Sequence, residues 1–367
     1  MIVRGDKPTI DKDKVKKILV IRLMSLGDII LSTPVLTALR AHFSQAEITM
    51  LVDKAYEEAV TGHPALNRVL AIPRAEMRKL SFFERVSAEW AWFKKVRDEK
   101  FDLVVDLQGT PRTAWLCLFS GIPVRVGGGH RRRGLAYNYR VIAENRYAVE
   151  VNLDYARAVG AEAGDKRIKL VIASQNAEYV ERFLSQNNPA PAEPLIAFHI
   201  GGGWPAKYWP MDYFEQLGWM IHREKLGRVV LLQGPREKEL VPELLTRLRS
   251  HGLDPLVAEG LTIQQTGALL QRCAALVSND TGPMHMALAL QVPVIGLFGQ
   301  EIKDLWFPAP ETVRDYTGYD QAVALQHKVW CSPCHLNECD RMECLKAITS
   351  TEVLYQLRKF MGAKVKG

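Results

Sequence analysis

The stretch KILVIRLMSLGDIILSTPVLTAL, residues 17–39, decides the fold of the chain. Its apolar run Ile18–Ile21 is rich in β-branched residues and predicts a buried parallel strand. Gly27 then permits a tight turn, and Ser32–Pro34 suit the first turn of a helix whose apolar residues recur on one face. Asp28 is therefore predicted to lie at the carboxyl end of a strand, where open α/β sheets bind their ligands.

Asp28 has two roles open to it at this point. Aspartate is common at helix starts because its carboxylate accepts hydrogen bonds from backbone amides, and the local pattern alone favours such a cap. A carboxylate at a strand end is also placed to act on a bound ligand. The remainder of the chain has to separate the two roles.

The composition is that of a globular protein. With 367 residues, 47% of them hydrophobic and 24% charged, the chain can bury two domain cores. No apolar run approaches the roughly 18–20 residues that span a bilayer, and residues 1–17 lack the apolar core of a signal peptide. The 6 cysteines do not indicate a secreted disulfide scaffold in a chain of this length. We therefore expect a cytoplasmic protein.

The positive charge lies entirely in the first half of the chain. Residues 1–180 hold 29 Lys and Arg against 21 Asp and Glu, whereas residues 181–367 hold 19 against 20. An anionic partner is therefore expected to meet the first half. Because no zinc-finger, homeodomain or RNA-recognition pattern is present, we do not expect this partner to be nucleic acid.

Strands and helices alternate along the chain, which predicts two doubly wound, Rossmann-like α/β domains with a cleft between facing strand ends. We expect the apolar segment Leu170–Ile172 to close the first sheet, and the proline-rich end of the following segment indicates a linker. The predicted parts are an N-terminal extension (1–16), a first domain (17–175), a linker (176–194), a second domain (195–345) and a C-terminal helix with a tail (346–367).

The second half contains a glycine-rich loop, HIGGGWPAKYWP, at residues 199–210. A predicted strand leads into Gly201 and Gly202, where backbone amides can approach a phosphate closely. Lys207 follows on the same loop and can neutralise a diphosphate. A plain loop with a solvated lysine is the alternative.

A second loop, VSNDTGPMHM at residues 277–286, also follows a strand. Pro283 is suited to the first turn of a helix, so the free amides of that turn and the Thr281 hydroxyl can form an anion site. The alternatives are a simple helix cap at Asp280 and Thr281 and a neutral packing role for His285.

A third strand ends in QGPRE, residues 233–237. Glu237 is placed to hydrogen-bond a ribose, as acidic residues do in nucleotide-binding folds. Taken alone, the residue is better explained as a solvated acid in the first turn of a helix.

Four motifs, MSLGD, GGGWPAKYWP, GPRE and SNDTGPMH, occur in this order and at these separations. Together they resemble the glycosyltransferase family 9 enzymes, the ADP-heptose:lipopolysaccharide heptosyltransferases, from about Lys17 to about Leu357. The resemblance implies a GT-B fold and an inverting transferase that needs no metal for its chemistry. It also implies a cytoplasmic enzyme at the inner leaflet of the inner membrane, with ADP-heptose as donor and Kdo-bearing lipid A as acceptor.

The resemblance implies a role for each matching residue. Asp28 matches the proposed general base. The donor residues are Lys207 at the phosphates, Glu237 near the ribose, the Asp280, Thr281 and Gly282 loop at the pyrophosphate, His285 of the DTG-x-x-H signature, and Gly201 and Gly202 of the donor loop.

The basic first half then has a candidate partner in the carboxylates and phosphates of this acceptor, which arginine binds in bidentate fashion. A solvated basic surface is the alternative for each residue taken singly. The candidate acceptor residues are Arg74, Arg78, Lys79, Arg112, Arg131, Arg132 and Arg133.

An aromatic segment, residues 79–95, lies among these cations. Its spacing predicts a helix over Ser81–Glu99 with Phe82, Val86, Trp90 and Phe93 on one side. Such a stripe either faces the core of the domain or lies on an anionic membrane surface.

Four cysteines follow one another closely near the end of the chain: Cys331, Cys334, Cys339 and Cys344. This spacing suits a structural zinc site or an iron–sulfur cluster. Reduced thiols that pack a loop, or a disulfide pair, are the alternatives.

Two further functions stay open on sequence grounds. One is a family 9 transferase that uses another sugar or acceptor, which would leave the fold and Asp28 unchanged. The other is a nucleotide-dependent oxidoreductase, against which the first strand is followed by MSLGD rather than a G-x-G-x-x-G loop.

Overall fold

Each half of the chain builds its own sheet. The computed structural model describes residues 2–4, 10–129, 132–142, 144, 146–187, 193–308 and 319–362, with the backbone alone for 2–4, 132 and 133. The chain divides into two units, Met1–Val171 and Ile172–Gly367.

The first unit contains a seven-stranded sheet in the order β1-β7-β6-β5-β2-β3-β4. All neighbouring strands pair in parallel except β1, which pairs antiparallel with β7. The strands are β1 (Ile2–Arg4), β2 (Lys17–Ile21), β3 (Glu47–Asp53), β4 (Arg68–Ile72), β5 (Leu103–Asp106), β6 (Val124–Gly128) and β7 (Tyr139–Ile142).

Helices cover both faces of this sheet, since successive strand residues point to opposite sides. On one face Leu19 and Ile21 of β2 join a core with helices Arg74–Met77, Phe82–Asp98 and Pro111–Phe119. Helices Leu26–Leu31 and Thr33–His42 pack on each other and on helix Ala148–Arg157. The helices are α1 (Leu26–Leu31), α2 (Thr33–His42), α3 (Arg74–Met77), α4 (Phe82–Asp98), α5 (Pro111–Phe119) and α6 (Ala148–Arg157), with 3-10 turns at Lys12–Lys14, Lys54–Ala59 and Arg132–Ala136.

The second unit contains a six-stranded, entirely parallel sheet in the order β10-β9-β8-β11-β12-β13. A doubly wound α/β fold is therefore confirmed for both halves. The strands are β8 (Leu195–His199), β9 (Arg228–Gln233), β10 (Leu256–Glu259), β11 (Cys273–Asn279), β12 (Val294–Leu297) and β13 (Ala322–Leu325).

The helices of the second unit include the end of the chain. Leu354 and Leu357 are buried in the core of this unit, and Arg358 Nε bonds Glu224 at 2.9 Å. The helices are α7 (Ser174–Asn187), α8 (Met211–Arg223), α9 (Leu240–Ser250), α10 (Ile263–Gln271), α11 (Gly282–Ala289), α12 (Lys303–Trp306), α13 (Glu343–Lys346) and α14 (Ser350–Phe360), with a 3-10 turn at Pro205–Lys207.

Three predicted features differ from the structure. Residues 170–172 form no strand, and the β6 edge of the first sheet is extended instead by β7 and by β1, which lies in the predicted extension. Much of the predicted linker is helix α7, because Val180 and Leu184 give it an apolar face; the helix packs on α10. The single helix expected after Gly27 is broken at Ser32 into α1 and α2. No helix within the described ranges is long and apolar enough to cross a membrane.

Candidate active site

The three loops singled out in the second half follow adjacent strands. Because β8 lies between β9 and β11 in a parallel sheet, the carboxyl ends of all three strands meet at one edge. The structure thereby brings together Gly201 after β8, Glu237 after β9 and Asp280 after β11. We describe this group, with Lys207 and Thr281, as the anion loops.

Lys207 ends the 3-10 turn Pro205–Lys207 and points at the loop after β11. Its Nζ donates to Asp280 Oδ2 at 2.6 Å. Asp280 is only 9% exposed, and Lys207 is partly buried. The ammonium is therefore not a solvated loop lysine: it is held beside the start of α11, where helix amides favour anions.

Thr281 precedes α11, but its side chain does not cap this helix. Within the fully described α11 no amide bonds to the Thr281 hydroxyl. The hydroxyl instead donates to Asn279 O at 3.1 Å and lies 3.0 Å from His199 Nδ1. The first-turn amides of α11 are thus left to bind something else. His285 lies buried within α11.

Glu237 is buried rather than solvated, and it precedes α9 instead of lying in its first turn. Its Oε2 accepts from Gly234 N at 3.0 Å, and burial raises the pKa of its carboxyl. A Cβ atom on Gly201 would lie 2.0 Å from Glu237 Oε1. A side chain at position 201 would therefore have to displace the end of the Glu237 side chain.

Two further residues, which were not predicted as site residues, organise the anion loops. Asn279 Nδ2 donates to Ile200 O at 2.8 Å and to Gly201 O at 2.9 Å, which fixes the glycine loop to the end of β11. His199 lies with its Nε2 3.6 Å from Glu237 Oε1, and burial lowers the pKa of His199 to about 4. A neutral histidine therefore lies between the Thr281 hydroxyl and the Glu237 carboxyl. Both residues stand inside the quoted motifs, which was the available signal.

In the first unit, Asp28 lies in α1 directly after β2 and caps the helix. Its Oδ2 accepts from Ser25 N at 3.1 Å and Ser25 Oγ at 3.0 Å. Its Oδ1 is bonded to the guanidinium of Arg22. A carboxylate can accept about four hydrogen bonds, and the described residues supply three of them, so among these residues one position on Oδ1 stays open. The capping role is thus observed, and it leaves room for a second role.

The loop that carries Asp28 is held by neighbours that the sequence analysis did not select. Gln108 Oε1, after β5, accepts from Leu23 N at 2.9 Å and Met24 N at 3.2 Å. Asp106, fully buried, accepts from Gln108 N at 2.9 Å and from the Tyr137 hydroxyl at 2.6 Å. A polar residue at the end of an apolar strand was the only sequence signal for this support.

The candidate acceptor residues separate into groups. Arg74 Nη1 lies 3.0 Å from Met24 Sδ and 3.6 Å from Asp53 Oδ2. Arg112 is paired with Glu89 at 2.8 Å, and its burial lowers the pKa of the guanidinium, with Arg74 as a neighbouring charge. These two arginines therefore lie beside the loop that carries Asp28.

The other candidates are placed differently. Arg78 and Lys79 are exposed at the end of α3. Arg131 lies outside the described residues, as do the side chains of Arg132 and Arg133. The structure thus gives no position for the arginine run.

The four-cysteine metal centre is not assembled in the structure. All four thiols are free, and Cys344 is buried, which raises its pKa together with the nearby thiols Cys331 and Cys334. Cys339 instead accepts from Met342 N at 3.3 Å. Across the described ranges no group of three or more His, Cys, Asp or Glu residues is arranged to hold a metal ion. The described residues therefore show no preassembled zinc or iron–sulfur site at these four cysteines.

The two Rossmann-like units are those of the GT-B class of glycosyltransferases. A glycosyltransferase family 9 protein from Veillonella parvula matches the structure with a TM-score of 0.79, at 22% identity over 94% of this chain and 97% of that chain. The E. coli ADP-heptose lps heptosyltransferase II matches with a TM-score of 0.72, at 23% identity over 94% and 98%. The GT-B prediction is confirmed by these likenesses of fold.

Sequence comparison assigns the family. Residues 89–344 match the sequence profile of the family described as "Glycosyltransferase family 9 (heptosyltransferase)". This chain therefore belongs to glycosyltransferase family 9. Lipopolysaccharide heptosyltransferase 1 of Pseudomonas aeruginosa is 28% identical over 306 residues, which cover 77% of this chain and 78% of that protein. The chain is therefore a transferase, as its motifs indicated, and not an oxidoreductase.

Proposed function

We propose that this enzyme transfers a heptose from ADP-heptose to the Kdo- and heptose-containing inner core of lipid A, with inversion at the anomeric carbon. The observation that carries the proposal is the Lys207–Asp280 pair at 2.6 Å beside the first turn of α11. It is a site built for a diphosphate at the strand end where α/β proteins bind nucleotides. The names of the relatives, lipopolysaccharide heptosyltransferases, support the choice of donor and acceptor class.

The donor diphosphate is bound by the anion loops. Lys207, the amides of Gly201 and Gly202, and the first-turn amides of α11 from Gly282 onward face the phosphates. Asp280 keeps the Lys207 ammonium oriented, and Glu237 Oε1 accepts a hydrogen bond from a ribose hydroxyl. As the bond to the sugar breaks, negative charge grows on ADP, and these fixed groups stabilise it without a metal ion.

Asp28 is the general base of the transfer. An acceptor hydroxyl oxygen forms a bond to the anomeric carbon while the bond from that carbon to the β-phosphate oxygen breaks on the opposite face. The electron pair leaves with ADP, and the hydroxyl proton passes to Oδ1 of Asp28. Arg22 holds that oxygen in place, and Ser25 occupies the other, so the proton has one defined destination.

The acceptor is held by the first unit, where the net positive charge lies. Arg74 and Arg112, next to the Asp28 loop, bind carboxylate or phosphate groups of the inner core. Arg78, Lys79, Arg131 and Arg132 extend this contact along the anionic acceptor. The reaction takes place at the inner face of the inner membrane, where the enzyme is peripheral.

A family 9 transferase with another sugar or acceptor would use the same residues, so substrates have to decide. Purified enzyme is incubated with ADP-heptose and, in parallel, ADP-glucose, with acceptors that end at Kdo, at the first heptose or at the second. Mass spectrometry follows the acceptor, and nuclear magnetic resonance reads the new anomeric centre. We expect one heptose on one acceptor length with inverted configuration. Transfer of glucose alone, or retention, would contradict the proposal.

A further inference from the structure

The outer surface of the first unit carries an unusual set of exposed apolar side chains. On the layer formed by α3, α4 and α5, the inward residues of α4, among them Trp92, Phe93 and Val96, pack on the sheet. This corrects the predicted stripe: Phe93 belongs to the core, whereas Phe82, Val86 and Trp90 are exposed. The helix therefore has two apolar faces, and the protein itself buries only one.

Exposed apolar side chains also lie on the neighbouring helix α5. Phe83 is 83% exposed, Phe82 64% and Trp90 60%. On α5, Trp115 stacks on Phe119 at a ring distance of 5.5 Å, and both rings are also exposed. We call this surface the α4–α5 face; its members are Leu80, Phe82, Phe83, Val86, Trp90, Trp115, Leu118 and Phe119.

Cations border the α4 part of this face. Residues 74–97 hold 7 Lys and Arg against 3 Glu. Arg78, Lys79, Arg85 and Lys94 are exposed, and within the part of the chain that the structure describes none of them forms an ion pair. A set of aromatic rings bordered by unpaired cations matches the two components of an anionic lipid surface.

The face is held in a fixed position rather than carried on a loose loop. Ser81 N donates to Glu84 Oε2 at 2.9 Å, and the Ser81 hydroxyl to the same oxygen at 2.6 Å, a capping box that fixes the start of α4. From this start, residues 82–87 are exposed on every side. Behind them lies an apolar groove of about 380 Å³ between α3 and α4, lined by Met77, Leu80 and Trp92 among others.

We propose that the α4–α5 face docks on an anionic phospholipid bilayer, with Phe82 and Phe83 inserted among the headgroups. Exposed apolar patches mark interaction surfaces, and Trp and Phe interleaved with Lys and Arg are typical of helices that lie in the membrane interface. The excess positive charge selects anionic lipid over a neutral apolar partner. Docking on a protein or on a second copy of the chain is the outcome that would overturn the proposal.

Docking at this face has a consequence for the Asp28 loop, a consequence that rests on the proposed function. Arg74, the first residue of α3, contacts Met24 Sδ at 3.0 Å, and Met24 lies in the loop that carries Asp28. The α4–α5 face and the catalytic loop are therefore joined through α3. A bilayer bound there presents its lipid-anchored headgroups next to the proposed base.

The test is vesicle flotation of the full-length enzyme without donor or acceptor. Vesicles of phosphatidylcholine alone are compared with vesicles that also contain phosphatidylglycerol, at low and high salt. We expect flotation only with the anionic vesicles, and its loss at 1 M salt, where the Debye length is about 3 Å. The double substitution Phe82→Ser/Phe83→Ser should lower the partition coefficient about tenfold or more, and Arg85→Glu/Lys94→Glu about fivefold or more for each cation.

The matched control is Trp219→Ser on α8. Trp219 is an exposed tryptophan beside a cation, Arg223, in the second unit, so this variant should float like the wild type. All the substituted side chains are exposed, and unchanged thermal unfolding confirms that each variant folds. Wild-type enzyme that stays with the unbound protein, or a Phe82→Ser/Phe83→Ser variant that floats normally, overturns the proposal.

Sedimentation of the same samples completes the test. A dimer that Phe82→Ser/Phe83→Ser converts to monomer, without any flotation of the wild type, would assign the face to a second copy and overturn membrane docking. Flotation is measured without substrate and therefore does not depend on heptose transfer. An enzyme that floats but fails in the separate transfer assay would contradict the proposed function alone. Heptose transfer without flotation would contradict this inference alone.

Discussion

The two units hold the same kind of ion pair at corresponding places, directly after strand ends. In the first unit the Asp28 carboxylate is bonded to Arg22, and in the second the Lys207 ammonium is bonded to Asp280. The surroundings differ. Asp28 has a capping serine and keeps one acceptor position open, whereas Lys207 faces glycine amides and the first turn of a helix.

This difference assigns opposite roles to the two pairs. In the first pair the neighbouring groups donate to the carboxylate, so Arg22 holds Asp28 in position and Asp28 takes the proton. In the second pair further donors lie beside the cation, so Asp280 holds Lys207 in position and Lys207 binds the phosphates. An ion pair at a strand end therefore does not by itself identify the functional partner; the groups around it do.

The largest expected effect is on the first pair. Asp28→Asn keeps a cap-like side chain but removes the proton acceptor, so the transfer rate should fall by about 10²–10⁴-fold. Single-turnover kinetics at saturating donor and acceptor measure it. Glu84→Gln, which alters the corresponding capping-box acid of α4, is the control and should keep the rate. Wild-type turnover in a folded Asp28→Asn enzyme would remove the base assignment.

The second pair should respond in binding. Lys207→Ala removes a charge-assisted contact to phosphate that is worth about 1.5–3 kcal/mol, so ADP should bind roughly tenfold to a hundredfold more weakly in calorimetric titration. It also leaves the Asp280 carboxylate without its cation and should lower stability. Adding Asp280→Asn should restore stability but not ADP affinity; restoration of both would mean that Lys207 is structural only.

The glycine loop gives a sharper test of how the anion loops are built. Gly201→Ala places a Cβ 2.0 Å from Glu237 Oε1, so either atom must move, at a cost of about 1–3 kcal/mol. In Gly203→Ala the new Cβ would meet Arg236 Nη1 at 3.7 Å, an ordinary van der Waals contact, and this variant should leave stability unchanged. Thermal unfolding compares the two. Equal midpoints would show that Glu237 is not held against the loop.

The smallest effect concerns pH. His199 is neutral in the folded protein because burial lowers its pKa to about 4, while in the unfolded chain it takes up a proton near pH 6.5. Its stabilising contribution is therefore complete above pH 6.5 and is lost as the pH falls toward 4. In His199→Gln the thermal unfolding midpoint should fall less steeply as the pH is lowered over this range. Part of the pH dependence should remain, because the pKa of His63 in the first unit is also lowered to about 4. An unchanged slope in His199→Gln would contradict this account.

Much of this arrangement follows from local sequence. The apolar runs of β2, β8 and β11 predict central parallel strands because such strands are buried on both faces, and the polar residues that follow them predict the site edge. The Asp28 cap is equally local, since Ser25 and Asp28 are three residues apart.

Other features depend on the folded chain. The partners Lys207 and Asp280 are 73 residues apart, and no local pattern joins them. Helix α7 looked like linker because only Val180 and Leu184 are buried in it. The sequence did not show which aromatic residues of α4 are exposed, because those of both faces alternate along one helix. Only the packing of the folded chain shows which of them are buried in the core.

The comparison of the two pairs is tested most directly by one experiment on paired variants. ADP-heptose affinity and single-turnover transfer rate are measured side by side for Asp28→Asn and Lys207→Ala. We predict that Asp28→Asn binds donor like the wild type and transfers slowly, and that Lys207→Ala binds donor weakly. Weak donor binding by Asp28→Asn, with normal donor binding by Lys207→Ala, would contradict the roles assigned to the two pairs.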